Sequence, residues 1–175
     1  MVTSSPAKPP FEAVVTAHGT TVLRVARAIL GPHDADDAWS ETFLAAMTAY
    51  PALPADANVE AWLVTIAHRK AIDVIRAARR RPLAVADVPD SVSSDAADGR
   101  DLDLGAAVAT LPDKQRQAVA YHYLAGLPYA QIAGLLGSTE AAARRAAADG
   151  IARLRRVYPA DDLAGDSTSS PGSSA

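Results

Sequence analysis

Apolar side chains recur along most of this chain at the three- and four-residue steps of a helix. Phe11, Val15, Val22, Val25 and Ile29 form one stripe, which Gly31-Pro32 ends. A second helix follows over about 34–50, with Asp34, Asp36 and Asp37 at its start and Trp39, Phe43, Leu44 and Met47 after them. Pro51 and Pro54 force PALPADAN out of helical geometry. A third helix over about 59–81 places Leu63, Ala67, Ala71, Val74 and Ala78 on one side. Helical patterning resumes at about 102–110, breaks at Leu111-Pro112, and continues from Asp113 to about Ala125, where Gly126 stops it. Pro128 opens the next helix, with Ile132, Ala133, Leu135 and Leu136 on its apolar side. Gly137 ends that helix, and Ser138 or Thr139 caps the last one, running to Arg156.

The stretch between the two helical groups differs in kind. From Pro82 to Arg100, PLAVADVPDSVSSDAADGR holds two prolines and four aspartates against one arginine. A structureless run of that length inside one compact domain is unusual, so it reads as a flexible acidic linker. The pattern thus predicts an all-α protein made of two small helical domains joined by a linker. The Ser-, Pro- and Gly-rich ends have little to bury and read as disordered tails.

Composition narrows the class. The chain has 175 residues, 49% of them hydrophobic, enough for a core. With no cysteine, disulfides, thiolate catalysis and cysteine-bound zinc are excluded. No apolar run is long enough for a membrane helix, and no signal segment opens the chain, so the expectation is a soluble cytoplasmic protein with no membrane insertion. A net charge of −3 argues against non-specific coating of DNA.

The distribution of charge is more informative. Residues 58–82 carry six Lys or Arg against two acids, and Trp62, Thr65, Arg69, Arg76 and Arg80 fall on one side of the third helix. An aromatic aligned with basic groups suits a nucleic-acid backbone beside an unstacked base; a solvated helix end would give the same pattern. The pair of helices around Gly137 fits a helix-turn-helix whose second helix presents Ala142, Ala143, Arg144 and Arg145 near its start, or an ordinary helical hairpin. Asp34, Asp36, Asp37 and Glu41 complement the helix dipole or form a docking patch. His18, His33 and His68 form no recognisable ligand set, Tyr121, His122 and Tyr123 read as packing residues, and neither a metal site nor a cofactor site is expected.

Three words in order carry a resemblance: DADDAWSETFLAA (34–46), NVEAWLVTIAHRKAIDVIRAARRRP (58–82) and LPDKQRQAVAYHYLAGLPYAQIAGLLG (111–137). They resemble the bacterial sigma-70 family, in particular the extracytoplasmic-function type that keeps only regions 2 and 4. The resemblance implies a region 2 bundle over 11–81, a linker over 82–101 and a region 4 helix-turn-helix over 102–158, between tails at 1–10 and 159–175. It implies a non-enzymatic subunit that binds core RNA polymerase, recognises the −10 and −35 promoter elements and helps melt DNA.

By the same resemblance Asp36, Asp37, Glu41, Thr42 and Phe43 dock on the β′ clamp helices, with the β flap as a further polymerase contact. Asn58, Trp62, Arg69, Lys70, Arg76 and Arg80 bind the −10 element and the melting strands. Arg116, Thr139, Ala142, Arg144 and Arg145 bind the −35 element. An anti-sigma factor is a further candidate partner. Two departures stand out: His68 occupies a position where relatives commonly carry asparagine, and AAARRAAADG is poorer in polar side chains than a usual recognition helix. The alternative is a stand-alone helix-turn-helix regulator with an N-terminal sensing or dimerisation domain.

Overall fold

The structure, a computed structural model, describes residues 8–80 and 107–157. Every regular element among them is helical. The first unit comprises α1 (Phe11–Leu30), α2 (Pro32–Ala49), a 3₁₀ turn (Tyr50–Ala52) and α3 (Val59–Arg80). The second comprises α4 (Asp113–Val119), a π turn (Ala120–Leu124), α5 (Tyr129–Leu136) and α6 (Glu140–Val157). The linker over 82–101 and most of the two tails lie outside the described residues. Of the short helix expected over 102–110, residues 107–109 are described and helical.

Helices α1, α2 and α3 pack on one another around Val14, Val22, Phe43, Ala46, Tyr50, Leu63 and Ala67. The aromatic rings interlock: Trp39 and Phe43 centroids lie 4.8 Å apart, and Phe11 and Tyr50 5.4 Å. Trp39 Nε1–H donates to the Gly19 carbonyl at 2.9 Å, which satisfies the indole across the α1–α2 contact. Gly31 reverses the chain between these helices at φ 81°, open to glycine with no steric cost. Tyr50 ends α2 with its hydroxyl donating to the Pro9 carbonyl at 2.7 Å, and the Lys8 ammonium lies 4.5 Å from its ring centroid.

In the second unit α6 packs against both α4 and α5. Gly137 adopts the left-handed conformation expected of it, at φ 57° and ψ 42°. Thr139 is the residue that caps α6, accepting from the Ala142 N–H at 3.2 Å. Pro128 stands one position before α5 and not inside it. The helix that begins at Asp113 does not continue as α to Ala125: it widens into a π turn at Ala120, and the Leu127 N–H then closes back on the Tyr121 carbonyl at 2.9 Å.

The two units share a core. Val25, Ala28 and Ile29 of α1 and Val64 and Ala71 of α3 pack in one cluster with Val108, Leu111, Val119, Tyr121, Leu127 and Ile132. Helix α3 therefore has two buried sides. Leu63 and Ala67 face the first unit's own core, while Ala61, Val64, Ala71 and Ile75 belong to the shared one. Ala78, expected on the buried side, is exposed, because the helix has run past its neighbours by then.

Candidate nucleic-acid interface

Three surfaces carry the residues to which the sequence points. On α2, Asp34, Asp36, Asp37 and Glu41 are exposed. Asp36 lies 3.5 Å from Arg27 and Glu41 lies 3.0 Å from Lys70. Thr42 and Phe43, expected to dock beside them, are turned inward. The Thr42 hydroxyl is buried and donates to the Ala38 carbonyl at 2.6 Å, and the Phe43 ring packs on Trp39. The reason is helical phase: 39, 42, 43 and 46 share the side that meets α1 and α3. The apolar groups on the outer face are Leu44 and Met47, 60% and 53% exposed. Their membership of one apolar run with Phe43 conceals this in the sequence; an exposed apolar pair on a folded helix is the informative observation.

On α3, Arg69 is exposed midway along the helix, and Arg76, Arg79 and Arg80 are exposed toward its C-terminus, where the cations of the last turn complement the dipole. The Lys70 ammonium is held by Glu41, so the basic and acidic surfaces of the first unit adjoin through one ion pair. Trp62 is half-buried, its ring 6.3 Å from that of Tyr50, so the indole is braced by the core with part of it open. Asn58 has a local role: its side-chain oxygen accepts from the Ala61 N–H at 3.0 Å and caps the start of α3.

In the second unit the start of α6 exposes Thr139, Ala142, Arg144 and Arg145. Arg144 reaches Glu140 at 2.8 Å and lies over the Tyr129 ring at 5.2 Å. Tyr129 in turn stacks on His122 with centroids 4.1 Å apart, and Tyr123 stands edge-on to His122. A row of planar groups thus leads from the π turn to the basic start of α6, although sequence spacing suggests only packing for the Tyr-His-Tyr run. Arg116, expected on phosphates, is turned toward its own unit: its side chain is 18% exposed, bonded to Asp113 and to the Ala109 carbonyl at 3.0 Å.

In the sequence His68 stands out only as a departure from a family pattern. Its Nδ1 lies 2.6 Å from the Tyr121 hydroxyl, across the contact between the two units. Burial lowers the histidine pKa; a hydrogen bond to the Leu135 backbone works the other way, and neighbouring Arg69 lowers it further. Burial raises the Tyr121 pKa, so the phenol is a donor at any ordinary pH. A neutral imidazole that accepts at Nδ1 from this phenol keeps a proton on Nε2 to donate.

Residues 14–81 match the family model for Sigma-70 region 2, and residues 101–154 that for Sigma-70, region 4. The ECF RNA polymerase sigma factor SigC of Mycobacterium tuberculosis is 30% identical over 160 residues, covering 89% of this chain and 86% of its own. The ECF RNA polymerase sigma factor SigF of Caulobacter vibrioides is 34% identical over 115 residues, 65% of this chain and 64% of that protein. The sigma factor RpoE of Bartonella quintana, solved with the anti-sigma factor NepR, superposes with a TM-score of 0.68 at 21% identity, over 86% of this chain and 98% of its own.

Proposed function

The chain belongs to the sigma-70 family of RNA polymerase sigma factors, extracytoplasmic-function type, and from that premise we propose how its surfaces divide the work of promoter recognition and opening. The observation that carries the reading is the presence, in one chain, of both a region 2 and a region 4 match in the family's order. A stand-alone regulator would need the second of these alone, and is not favoured.

Asp36, Asp37 and Glu41, with Leu44 and Met47 beside them, form the docking face for core RNA polymerase, whose β′ clamp helices are the expected contact. Thr42 and Phe43 hold that face from behind. Arg69, Lys70, Arg76 and Arg80 neutralise the backbone of the −10 element, and half-open Trp62 offers a surface for a displaced base. Asn58 fixes the loop before α3, at the side where an extruded base would enter. Melting then draws on binding alone: each stacked base contributes about 1–3 kcal/mol, and neutralised phosphates add to it. No step needs a catalytic group, so the protein acts as a binding subunit and not as an enzyme.

In this reading α6 enters the −35 major groove, with Arg144 and Arg145 near base edges and phosphates and Thr139 and Ala142 at the point of closest approach. With so few polar side chains there, readout leans on backbone positioning and DNA shape. Among the described residues no helix is long and apolar enough to cross a membrane; work on polymerase places the protein in the cytoplasm, and an anti-sigma factor is a fitting regulator. Transcription in vitro with purified core polymerase and a promoter library tests the reading. Selective initiation is expected; failure to bind core polymerase would overturn it.

A further inference from the structure

Lys70, Arg79 and Arg144 each meet a carboxylate: Glu41, Asp113 and Glu140 in turn. Lys8 meets backbone. Its ammonium donates to the Tyr50 carbonyl and, at 3.4 Å, to that of Pro51, 42 and 43 positions away along the chain. The Tyr50 hydroxyl reaches the other way and donates to the Pro9 carbonyl at 2.7 Å. Each side chain therefore holds the other's backbone, and the ammonium lies 4.5 Å from the centroid of the phenol ring.

The sequence on both sides builds this clasp. Pro10 stands extended before α1, at φ −61° and ψ 149°, and a proline at 9 keeps Lys8 out of the helical region, so the strap is stiff and has little entropy left to lose. The last turn of α2 carries no basic residue of its own, and Pro51 has no N–H with which to extend the helix. Lys8 supplies from a distance the cation that complements that helix end. The Tyr50 carbonyl also accepts from the Leu53 N–H at 3.1 Å, so one oxygen ties the strap to the start of the 51–58 loop. The Tyr50 ring, buried, lies 6.3 Å from that of Trp62. At the far end of the loop Asn58 caps α3.

We propose that Lys8 and Tyr50 are positioning residues for −10 readout: together they set the conformation of the 51–58 loop and the seat of the Trp62 indole, and so which base is accepted there. This deepens the reading in which that side of α3 receives a displaced base, and rests on it for its consequence, though the clasp itself does not. Between 51 and 58 only Asp56 and Asn58 have polar side chains, and the Asn58 side-chain oxygen is committed to the α3 cap. Base selection in the loop then depends on where its backbone N–H and C=O groups stand. A loop pinned only at its α3 end would sample several conformations, from which a base would have to select one; the clasp fixes the α2 end before DNA arrives.

The test uses the full-length protein with Lys8→Met, which keeps an unbranched stem and removes the charge, and Tyr50→Phe, which keeps the ring and removes the hydroxyl. Hydrogen exchange of the free protein reads the clasp. Both substitutions should speed exchange of the Leu53 and Ala57 amides roughly fivefold, as the loss of one hydrogen bond implies, while α3 amides and the urea midpoint change little. Transcription in vitro with core polymerase, on promoters altered at single −10 or single −35 positions, reads the consequence. Each substitution should lower discrimination at the −10 element about fivefold and leave that at the −35 element unchanged, and the double variant should be no worse than the more affected single one. Loop exchange indifferent to both substitutions would overturn the clasp. Unchanged −10 discrimination, or an equal loss at both elements, would overturn the positioning role. A parent protein that initiates at no promoter would sink the sigma-factor reading instead, and the exchange measurement, which needs no polymerase, would still decide the clasp.

Discussion

The His68 Nδ1 atom and the Tyr121 hydroxyl, 53 positions apart in the chain, meet at 2.6 Å and join the two helical units. The groups around the imidazole are the Tyr121 phenol from the π turn, the Leu135 backbone from α5 and Arg69 from α3. Burial holds the ring below its ordinary pKa of 6.5. The folded state therefore binds fewer protons than the unfolded one. The stability that this group contributes is full above about 6.5, declines as pH falls below that value, and stops declining beneath the lowered folded-state pKa. The urea midpoint followed from pH 8 to pH 5 should fall on the acid side for the parent chain, and His68→Phe should reduce that fall.

Leu44 and Met47 should matter for binding, and Phe43 for folding. Replacing both exposed residues with serine removes apolar area from the outer face of α2 and leaves the core intact. At least a tenfold loss of core-polymerase affinity is expected, with little change in the denaturation midpoint. Phe43→Ala should instead cost about 3–5 kcal/mol of stability, since its ring packs between Trp39 and Phe11. Fluorescence anisotropy and urea unfolding distinguish the two. Equal affinity after the double substitution would remove these residues from the docking face.

Arg144 is restrained by Glu140 and Tyr129, so freeing it should strengthen its hold on DNA. Glu140→Gln removes a negative charge beside the groove-facing arginine and should raise −35-dependent initiation a few-fold at moderate salt. Arg144→Ala with Arg145→Ala should abolish −35 dependence. In the promoter-bound holoenzyme the pair should also lower the salt slope by about two, one for each phosphate that is no longer neutralised. An unchanged slope would mean that neither arginine meets the backbone.

Gly150 is buried where α6 crosses α4. A Cβ there would sit 2.7 Å from Val119 Cγ2 and 3.4 Å from the Gln115 carbonyl oxygen. Alanine is the better helix former by about 1 kcal/mol, yet overpacking against a branched, stiff neighbour costs about 1–3 kcal/mol. Gly150→Ala should therefore lower the stability of the second unit by roughly 1 kcal/mol net. Chemical denaturation of the full chain reads it, and a raised midpoint would show that Val119 can move aside.

Much of the fold is legible in local pattern. Helix phase is written in the spacing of Val22, Val25 and Ile29, and the turn in Gly137, because each depends on residues within one or two turns of itself. The acidic start of α2 and the basic end of α3 are equally local. Less legible is which members of an apolar run face inward: ETFLAAM contains Phe43 and Leu44 side by side, and only the neighbours α1 and α3 decide that Phe43 is core and Leu44 surface. The fates of Arg116 and Arg79 are hidden for a related reason, since a cation's availability depends on whether a carboxylate from elsewhere reaches it.

Periodicity and words of fixed spacing were enough to set most of the helices, the Gly137 turn, the division into two patterned groups and the family, because all of these are properties of neighbours along the chain. Packing in three dimensions was needed to give α3 a second buried stripe, to carry Tyr121 into it on a π turn, and to make His68 a contact between units. Those outcomes depend on pairs such as 68 with 121 and 79 with 113, whose meeting is set by how whole helices pack, and no local propensity encodes it.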